Sequence, residues 1–463
     1  DLAGIVAYHR IQSSPGFRDA ARFCLGRLRD AGVPAEIHSF AADGVTDFWG
    51  YPPPQEWSAR AATLRLIAPE KEARVLADYR EDRIAIVQRS LATPADGVEA
   101  EVVPLENGEE EAEYEGLDLE GKVVLSRGEV DRVRELAVER HGAAGILFDG
   151  MREAPPVRPI MSLAARQYTS FWWEESEEAR RCFGFVLTPQ QGEWLRRLIK
   201  SEARDGRTVR VHASADTSFY AGHGENVVAY IPGETPEEVW LIAHLCHPQA
   251  SANDNASGSA VLLEAARAIA RLIEEGRLPK PRRGLRFLLV PEITGTYAYL
   301  ATHEELIPNV VAALNLDMVG EDQAQCGSTL NLAQAPLCSP SVSDDLLALI
   351  MEALAAEGEG FMGTTSYALF RWIEAPFSAG SDHYVLADPT VGIPCPMLLQ
   401  WPDRFYHTSA DTLDKVDPAM LGRVGVAAAT YLWWFATAGP REAGWLGQAM
   451  VTRPEARLGR MEQ

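Results

Sequence analysis

Cysteine is scarce in this 463-residue chain, with six in all: Cys24, Cys182, Cys246, Cys326, Cys338 and Cys395. No Cys-x-x-Cys pair occurs, which excludes a disulfide scaffold and leaves open one bridge such as Cys326 to Cys338. Basic charge is also lacking. Against 66 Asp and Glu stand only 43 Lys and Arg, a net charge of −23, so the chain has no basic excess for a nucleic acid or an anionic membrane. The acidity suits solubility, cationic ligands or metal ions. Long hydrophobic runs are missing too. The most apolar stretch, 424–439, contains Gly425, Thr430 and Thr437 and is short for a membrane span, so it is expected to be a buried helix. No signal-peptide pattern opens the chain at Asp1, so a cytoplasmic location is expected, with secretion the alternative if a leader has been removed. What the chain does have is an ordinary globular balance, 46% apolar and 24% charged, which argues against disorder. At roughly 100–200 residues per domain, its length implies two to four domains.

The pattern along the chain divides it. Ala20, Phe23, Leu25, Leu28 and Val33 follow a helical period closed near Gly32, and 34–40 then reads as a strand. After Pro52, Pro53 and Pro54, short strands are expected at 63–67 and 84–87. From about residue 97 the composition shifts to Glu-rich turns. There strands at 102–104, 122–125, 143–148 and 184–187 alternate with helices at 131–142 and 189–201, a small α+β module ending near 214. From 221 onward, strands at 226–230, 239–243, 285–290 and 310–316 alternate with a helical stripe over 261–273. That alternation implies an α/β fold with a mostly parallel, doubly wound sheet covered on both faces. The expected layout is an N-terminal part of the main domain at 1–50, a connecting β segment at 51–96, an inserted domain at 97–214, the main domain at 221–440 and a tail at 441–463.

The chemistry sits just past the apolar strands, where ligands bind in open α/β sheets. Val-Trp-Leu-Ile-Ala is followed by His244-Leu-Cys-His247-Pro, and then by Asn-Asp254-Asn-Ala-Ser-Gly. Phe-Leu-Leu-Val-Pro runs into Glu292, Leu-Asn-Leu into Asp317, and Phe-Tyr into His407-Thr-Ser-Ala-Asp411. Imidazoles mixed with carboxylates suit zinc or a similar divalent ion, and Asp254 is a natural bridge between two ions. Singly, each residue could be a core imidazole or a helix cap. Four strand ends together make the metal reading the stronger one. The pairs Trp172-Trp173 and Trp433-Trp434 read as core, with pocket lining as the alternative.

Asn-Asp254-Asn-Ala-Ser-Gly, Leu-Asp317-Met-Val-Gly, Ser381-Asp382-His383 and Tyr-His407-Thr-Ser-Ala-Asp411-Thr together resemble the di-zinc aminopeptidases related to bacterial leucyl aminopeptidase. The Cys-His247-Pro spelling and Pro-Glu292-Ile-Thr-Gly-Thr-Tyr look more like an aminopeptidase-like branch of that clan. The resemblance covers roughly 1–45 and 221–440. The inserted segment, with Gly121-Lys-Val-Val-Leu and His141-Gly-Ala-Ala-Gly, is similar to a protease-associated domain. The likeness implies a zinc-exopeptidase fold and one or two zinc ions, with cobalt or manganese as substitutes. It also implies a peptide substrate cleaved by a metal-activated water, no nucleic-acid or membrane partner, and homo-oligomerisation left open. Residue by residue, Asp254 would bridge the metals, Asp317 would bind one with the first-strand histidine, and His407 would bind the other. Asp411 would lie just behind the ligands, and Asp382 and His383 near the substrate carbonyl, His383 as a catalytic candidate.

Two departures from the family pattern stand out. Where the family shows His-x-Asp, this chain has His244-Leu-Cys246 with His247 following; His247 is the preferred ligand and His244 the alternative. Where the family shows a Glu-Glu pair before a glycine, base then ligand, this chain has Pro291-Glu292. Glu292 is therefore either the proton shuttle or a ligand, and Glu321 is the alternative base. The expected activity is that of an aminopeptidase releasing N-terminal residues. Its rivals are a glutaminyl-cyclase-like enzyme or amidase on the same scaffold, and a non-catalytic metal- or peptide-binding relic.

Overall fold

A computed structural model describes residues 1–153, 164–172, 181–339, 341–355 and 369–461. Its centre is an eight-stranded sheet in the spatial order Ala35–Ala42, Gly222–Ile231, Gly284–Val290, Glu238–His244, Val310–Asp317, Met397–Trp401, Thr329–Ala333 and Trp372–Ala375. The middle of the sheet is parallel, as expected. Its flanks are mixed rather than a continuation of that pattern, because Ala35–Ala42, Gly222–Ile231 and Thr329–Ala333 each pair antiparallel.

The apolar runs are explained by burial on both faces. Every residue of Glu238–His244 is buried. Val239, Leu241 and Ala243 pack with the helices Pro15–Asp30, Gly258–Glu274 and Pro418–Thr437. Trp240 and Ile242 pack on the other face with Tyr299 and Leu300 of Thr294–Thr302 and with Val385 and Leu386. The expected buried helix over 424–439 is Pro418–Thr437. Trp434 of that helix packs partly buried against the core, edge-on to Phe435 and tilted to Trp445, with ring centroids 5.1 and 6.5 Å apart. Trp173 lies outside the described residues. Among those residues no helix is long and apolar enough to cross a membrane. The segment 440–461 is a helix, and Cys326 and Cys338 are free, one buried and the other exposed.

A second sheet of seven strands corrects the expected domain limits. Its order is Arg74–Asp78, Glu56–Ala68, Arg210–Tyr220, Val98–Pro104, Val123–Ser126, Gly145–Phe148 and Phe183–Val186. The stretch 51–96 is thus no connector. Glu56–Ala68 pairs antiparallel with Arg210–Tyr220 along its whole length, burying Trp57, Leu64 and Leu66 against the sheet's own core. The unit runs from about 56 to 220, not 97 to 214. The strand expected at 84–87 is an irregular segment with bridges at Ile86 and Gln88. Those bridges tie it to Phe185 and Ser170, which matters for the cleft described next.

Candidate metal centre and cleft

Parallel strands bring their carboxyl ends together, and that register assembles the site. His244 ends one strand and Asp317 ends its neighbour, while Pro291-Glu292 follows the next strand over. Asp254 lies just before the helix Gly258–Glu274, and His407 on the loop after Met397–Trp401. Asp254 is the common vertex. Its Oδ1 lies 3.4 Å from His244 Nε2 and 3.1 Å from His247 Nδ1, and its Oδ2 lies 3.0 Å from His407 Nε2. Asp317 Oδ1 is 3.2 Å from His244 Nε2. Two donor triads therefore share one carboxylate: His244, Asp254 and Asp317, and His247, Asp254 and His407.

The donors fit divalent ions. With metal–ligand bonds near 2.0–2.1 Å, ligand atoms around a tetrahedral zinc stand about 3.3 Å apart, which matches these separations. Among the described residues Asp254 Oδ2 is buried and has no hydrogen-bond partner, although an imidazole nitrogen lies 3.0 Å away. The expected choice between His244 and His247 is thus not exclusive, since the structure brings both to Asp254.

The surrounding residues hold this geometry. Asn255 Oδ1 accepts from the backbone N–H groups of Gly258 and Met318, both at 3.0 Å, tying the Asp254 segment to the end of the Asp317 strand. Asp411 accepts from the N–H groups of Asn253, at 2.9 Å, and Asp254, at 3.1 Å, so it grips the bridging residue's backbone. Cys246 Sγ lies 3.5 Å from His244 Nδ1 and takes the position of the family's aspartate, leaving Nε2 to face the carboxylates. Arg10 is fully buried and donates to the carbonyls of Leu245 at 2.8 Å, Ala250 at 3.2 Å and Ser251 at 3.1 Å. Its own backbone exchanges hydrogen bonds with His247, so Arg10 carries the loop that presents that imidazole. Non-glycine residues at positive φ gather here as well: His247 (124°), Ser251 (47°), Ile293 (62°), Met318 (52°) and His407 (57°). Such strain persists where surrounding structure over-determines a site.

Electrostatics separate the imidazoles and carboxylates. Burial pulls His244 down, but Glu292, Asp317 and Cys246 overcome it and raise its pKa well above the ordinary value. His247 is driven well below by burial and by the neighbouring His244, His407 and Arg10, which keeps it neutral, the form that ligates metal. Burial, with Asp317, Asp254 and Asp382 around it, pushes Glu292 well above the carboxylate range. Burial opposes ionisation of Asp317 too, yet His244, with Ser381 and His383, outweighs it and holds that carboxyl low.

Glu292 Oε2 is 3.5 Å from His247 Nε2, on the other side of the ring from Asp254, and the side chain lines the cavities on both flanks of the donor cluster. Ile293, next in the chain, packs at the edge of the apolar cluster instead. Asp382 Oδ1 accepts from Ile293 N at 2.7 Å and Thr296 Oγ1 at 2.6 Å, holding the Glu292 turn. His383 commits Nε2 to the carbonyl of Ser378 at 2.8 Å and so supports the cleft loop 378–381. Glu321 is fully buried with Cys326 and Asp403 in a cluster of its own.

The second unit reaches into the site, which the sequence did not indicate. Every donor lies outside it, as expected, but Tyr168 Oη is 3.2 Å from His247 Nδ1 and the ring stacks on His407 with centroids 4.3 Å apart. Tyr168 N donates to the His407 carbonyl at 2.9 Å, and Arg166 and Ser409 exchange backbone and side-chain bonds. Tyr168 and Arg10 sit in no motif. Only their position in three dimensions marks them.

Comparison with known proteins agrees with this architecture. Residues 226–432 match Peptidase family M28. A Clostridium acetobutylicum protein described as a polysaccharide biosynthesis protein with an aminopeptidase-like domain is 27% identical over 186 residues, 40% of this chain and 37% of that one. The chain therefore spans little more than a third of the curated relative's length. The zinc aminopeptidase BSAP of Bacillus subtilis superposes with a TM-score of 0.66 at 16% identity, covering 95% of this chain and 93% of that one. An aminopeptidase from Aneurinibacillus sp. strain AM-1 gives 0.57 at 20% identity over 95% and 93%. At such identities these likenesses establish the fold.

Proposed function

We propose, from the match of residues 226–432 to Peptidase family M28, that the protein is a zinc-dependent aminopeptidase that removes N-terminal residues from peptides. The observation that carries the reading is the placement of Asp254 as shared vertex of two donor triads, with a carboxylate, Glu292, beside them on the cleft. His244, Asp254 and Asp317 would hold one ion, and His247, Asp254 and His407 the other, with cobalt or manganese able to substitute. When bound, such ions supply Lewis-acid chemistry, polarising the scissile carbonyl and acidifying a water. The chain's residues do the rest. Glu292, kept ionised by the positive charge of the ions once they are bound, takes a proton from the attacking water at an Oε atom and delivers it to the departing amine. His247 replaces the missing second glutamate as a donor, so a single Glu suffices. Tyr168 holds His407 by stacking and presents its hydroxyl to the cleft. Met318, Met397, Leu399, Trp401 and Tyr406 form the apolar part of a cavity of about 480 Å³ on one flank, which Arg152 and Ser381 also line, a receptacle for the first residue's side chain.

The test is dialysis against a chelator followed by assay on aminoacyl chromogenic amides. Hydrolysis should disappear and return with zinc or cobalt. Undiminished turnover in protein verified as metal-free would overturn the reading.

A further inference from the structure

A second group of buried acidic side chains adjoins the donor cluster, and the reaction described above does not use it. Glu321, Cys326 and Asp403 are fully buried, and each offers a donor atom within 4.8 Å of the others. Glu321 follows the strand Val310–Asp317, and Asp403 follows Met397–Trp401, which pairs with it. The backbone of Glu321 is fully occupied: its N–H donates to Gln400 Oε1 at 2.6 Å, and its carbonyl accepts from Gln400 Nε2 at 3.1 Å. Its side chain is not. Among the described residues neither carboxylate oxygen has a hydrogen-bond partner of normal geometry. Burial, with Asp403, Asp411 and Asp254 beyond it, pushes its pKa well above the carboxylate range against the pull of the Ser328 hydroxyl. A carboxylate accepts up to about four hydrogen bonds, so burying one in this way is costly unless something pairs it.

A second unpartnered group faces the same place. Asn253, just before the bridging Asp254, is fully buried, and neither its amide oxygen nor its amide nitrogen has a partner among the described residues. Its Oδ1 lies against Gly320, the neighbour of Glu321, where a Cβ would stand 3.4 Å from it. Its backbone N–H donates to Asp411 Oδ1 at 2.9 Å. Orphaned polar atoms from two separate segments, converging where the neighbouring charges are acidic, are the mark of a buried cation. Cys326 does not make the site a soft one. Its S–H donates to the Lys415 carbonyl at 3.8 Å, and burial beside Glu321, Asp403 and Asp411 pushes its pKa up, so it stays a thiol. The donors are then oxygens, which suit a hard ion. In so enclosed a place calcium fits better than magnesium, which gives up its water reluctantly.

We propose that Glu321, Asp403 and the Asn253 amide oxygen hold a calcium ion, at a third cation site separate from the two that share Asp254. The ion fixes the Asn253 segment and so the backbone that presents the bridging carboxylate. Its role is structural, and the proposal does not depend on the peptidase reading.

The full chain is dialysed against 1,10-phenanthroline, which extracts zinc and leaves calcium, and its metals are measured by plasma mass spectrometry. The same zinc-stripped protein is melted in EGTA and in excess calcium. The unaltered protein should retain about one calcium per chain, or melt about 2–4 °C or more higher in calcium than in EGTA, and Glu321→Gln should do neither. Glu321→Asp, which keeps the charge and shortens the reach, serves if the Gln variant does not fold; it should need at least about tenfold more calcium for the same rise in melting. Unaltered protein that neither retains calcium nor responds to it overturns the proposal, as does a calcium content and response shared equally by Glu321→Gln. Glu321→Gln that melts in EGTA at or above the calcium-loaded unaltered protein would show a Glu321 kept neutral by a proton, and also overturns it. A further equivalent of zinc that resists phenanthroline and disappears in Glu321→Gln would overturn the assignment to a hard ion.

Discussion

The two donor triads share Asp254 but stand in different surroundings. In the first, His244, Asp254 and Asp317 have side chains 1%, 4% and 8% exposed and hang from or beside adjacent parallel strands. In the second, His247 and His407 are 11% and 23% exposed, both on loops at positive φ, and Tyr168 of the other unit leans on them. A strand end is held by sheet hydrogen bonds, whereas a loop ligand is held only by whatever grips the loop. Here that grip is Arg10 beneath His247 and the Arg166–Ser409 contacts beside His407. The first triad is seated on strand ends; the second is more exposed and is held by loop contacts.

The largest expected effect comes from removing what the two triads share. Asp254→Ala should bind neither ion and show no turnover, as read by elemental analysis and assay; retention of one full equivalent would break the shared-vertex account. Next is Glu292→Gln, which removes the proton acceptor without removing a donor from either triad. Turnover should fall by roughly 10²–10⁴-fold with metal content kept. If metal is lost instead, Glu292 is a ligand, and added zinc should partly rescue activity. Arg10→Met should act on the second triad alone, weakening its ion by about 10–100-fold, the usual effect of losing an outer support. Competition with a graded chelator measures this, and equal weakening of both ions would contradict the asymmetry. The smallest effect is expected from Tyr168→Phe, which keeps the stacking and removes one hydroxyl. A loss of about tenfold in kcat, some 1.4 kcal/mol, should appear with metal content unchanged.

Both triads are legible in the sequence as strand-end and loop motifs, with His247 preferred and His244 the alternative, and the physical reasons differ. Parallel strands buried on both faces are written as unbroken apolar runs, so the residues terminating them, His244, Asp317 and the near neighbour Glu292, announce themselves. The second triad depends on how a loop folds back. Whether His244 or His247 faces the metals could not be decided from Cys-His-Pro, because the answer lies in the bridge between Arg10 and His247, residues 237 apart. The same holds for the second sheet. Glu56–Ala68 finds its partner at Arg210–Tyr220, a pairing no local pattern encodes, so 51–96 reads as a connector until the register is seen. The short strands Thr329–Ala333 and, at the sheet's edge, Trp372–Ala375 carry too few residues to show a period.

Anomalous diffraction at the zinc edge, on zinc-loaded crystals of the unaltered protein and of His247→Ala, tests the two-seat arrangement most directly. Two peaks flanking Asp254 are expected in the unaltered protein, and in His247→Ala only the peak on His244 and Asp317. Two undiminished peaks in the variant would show that His247 is not a ligand and that the missing glutamate has been replaced by some other group.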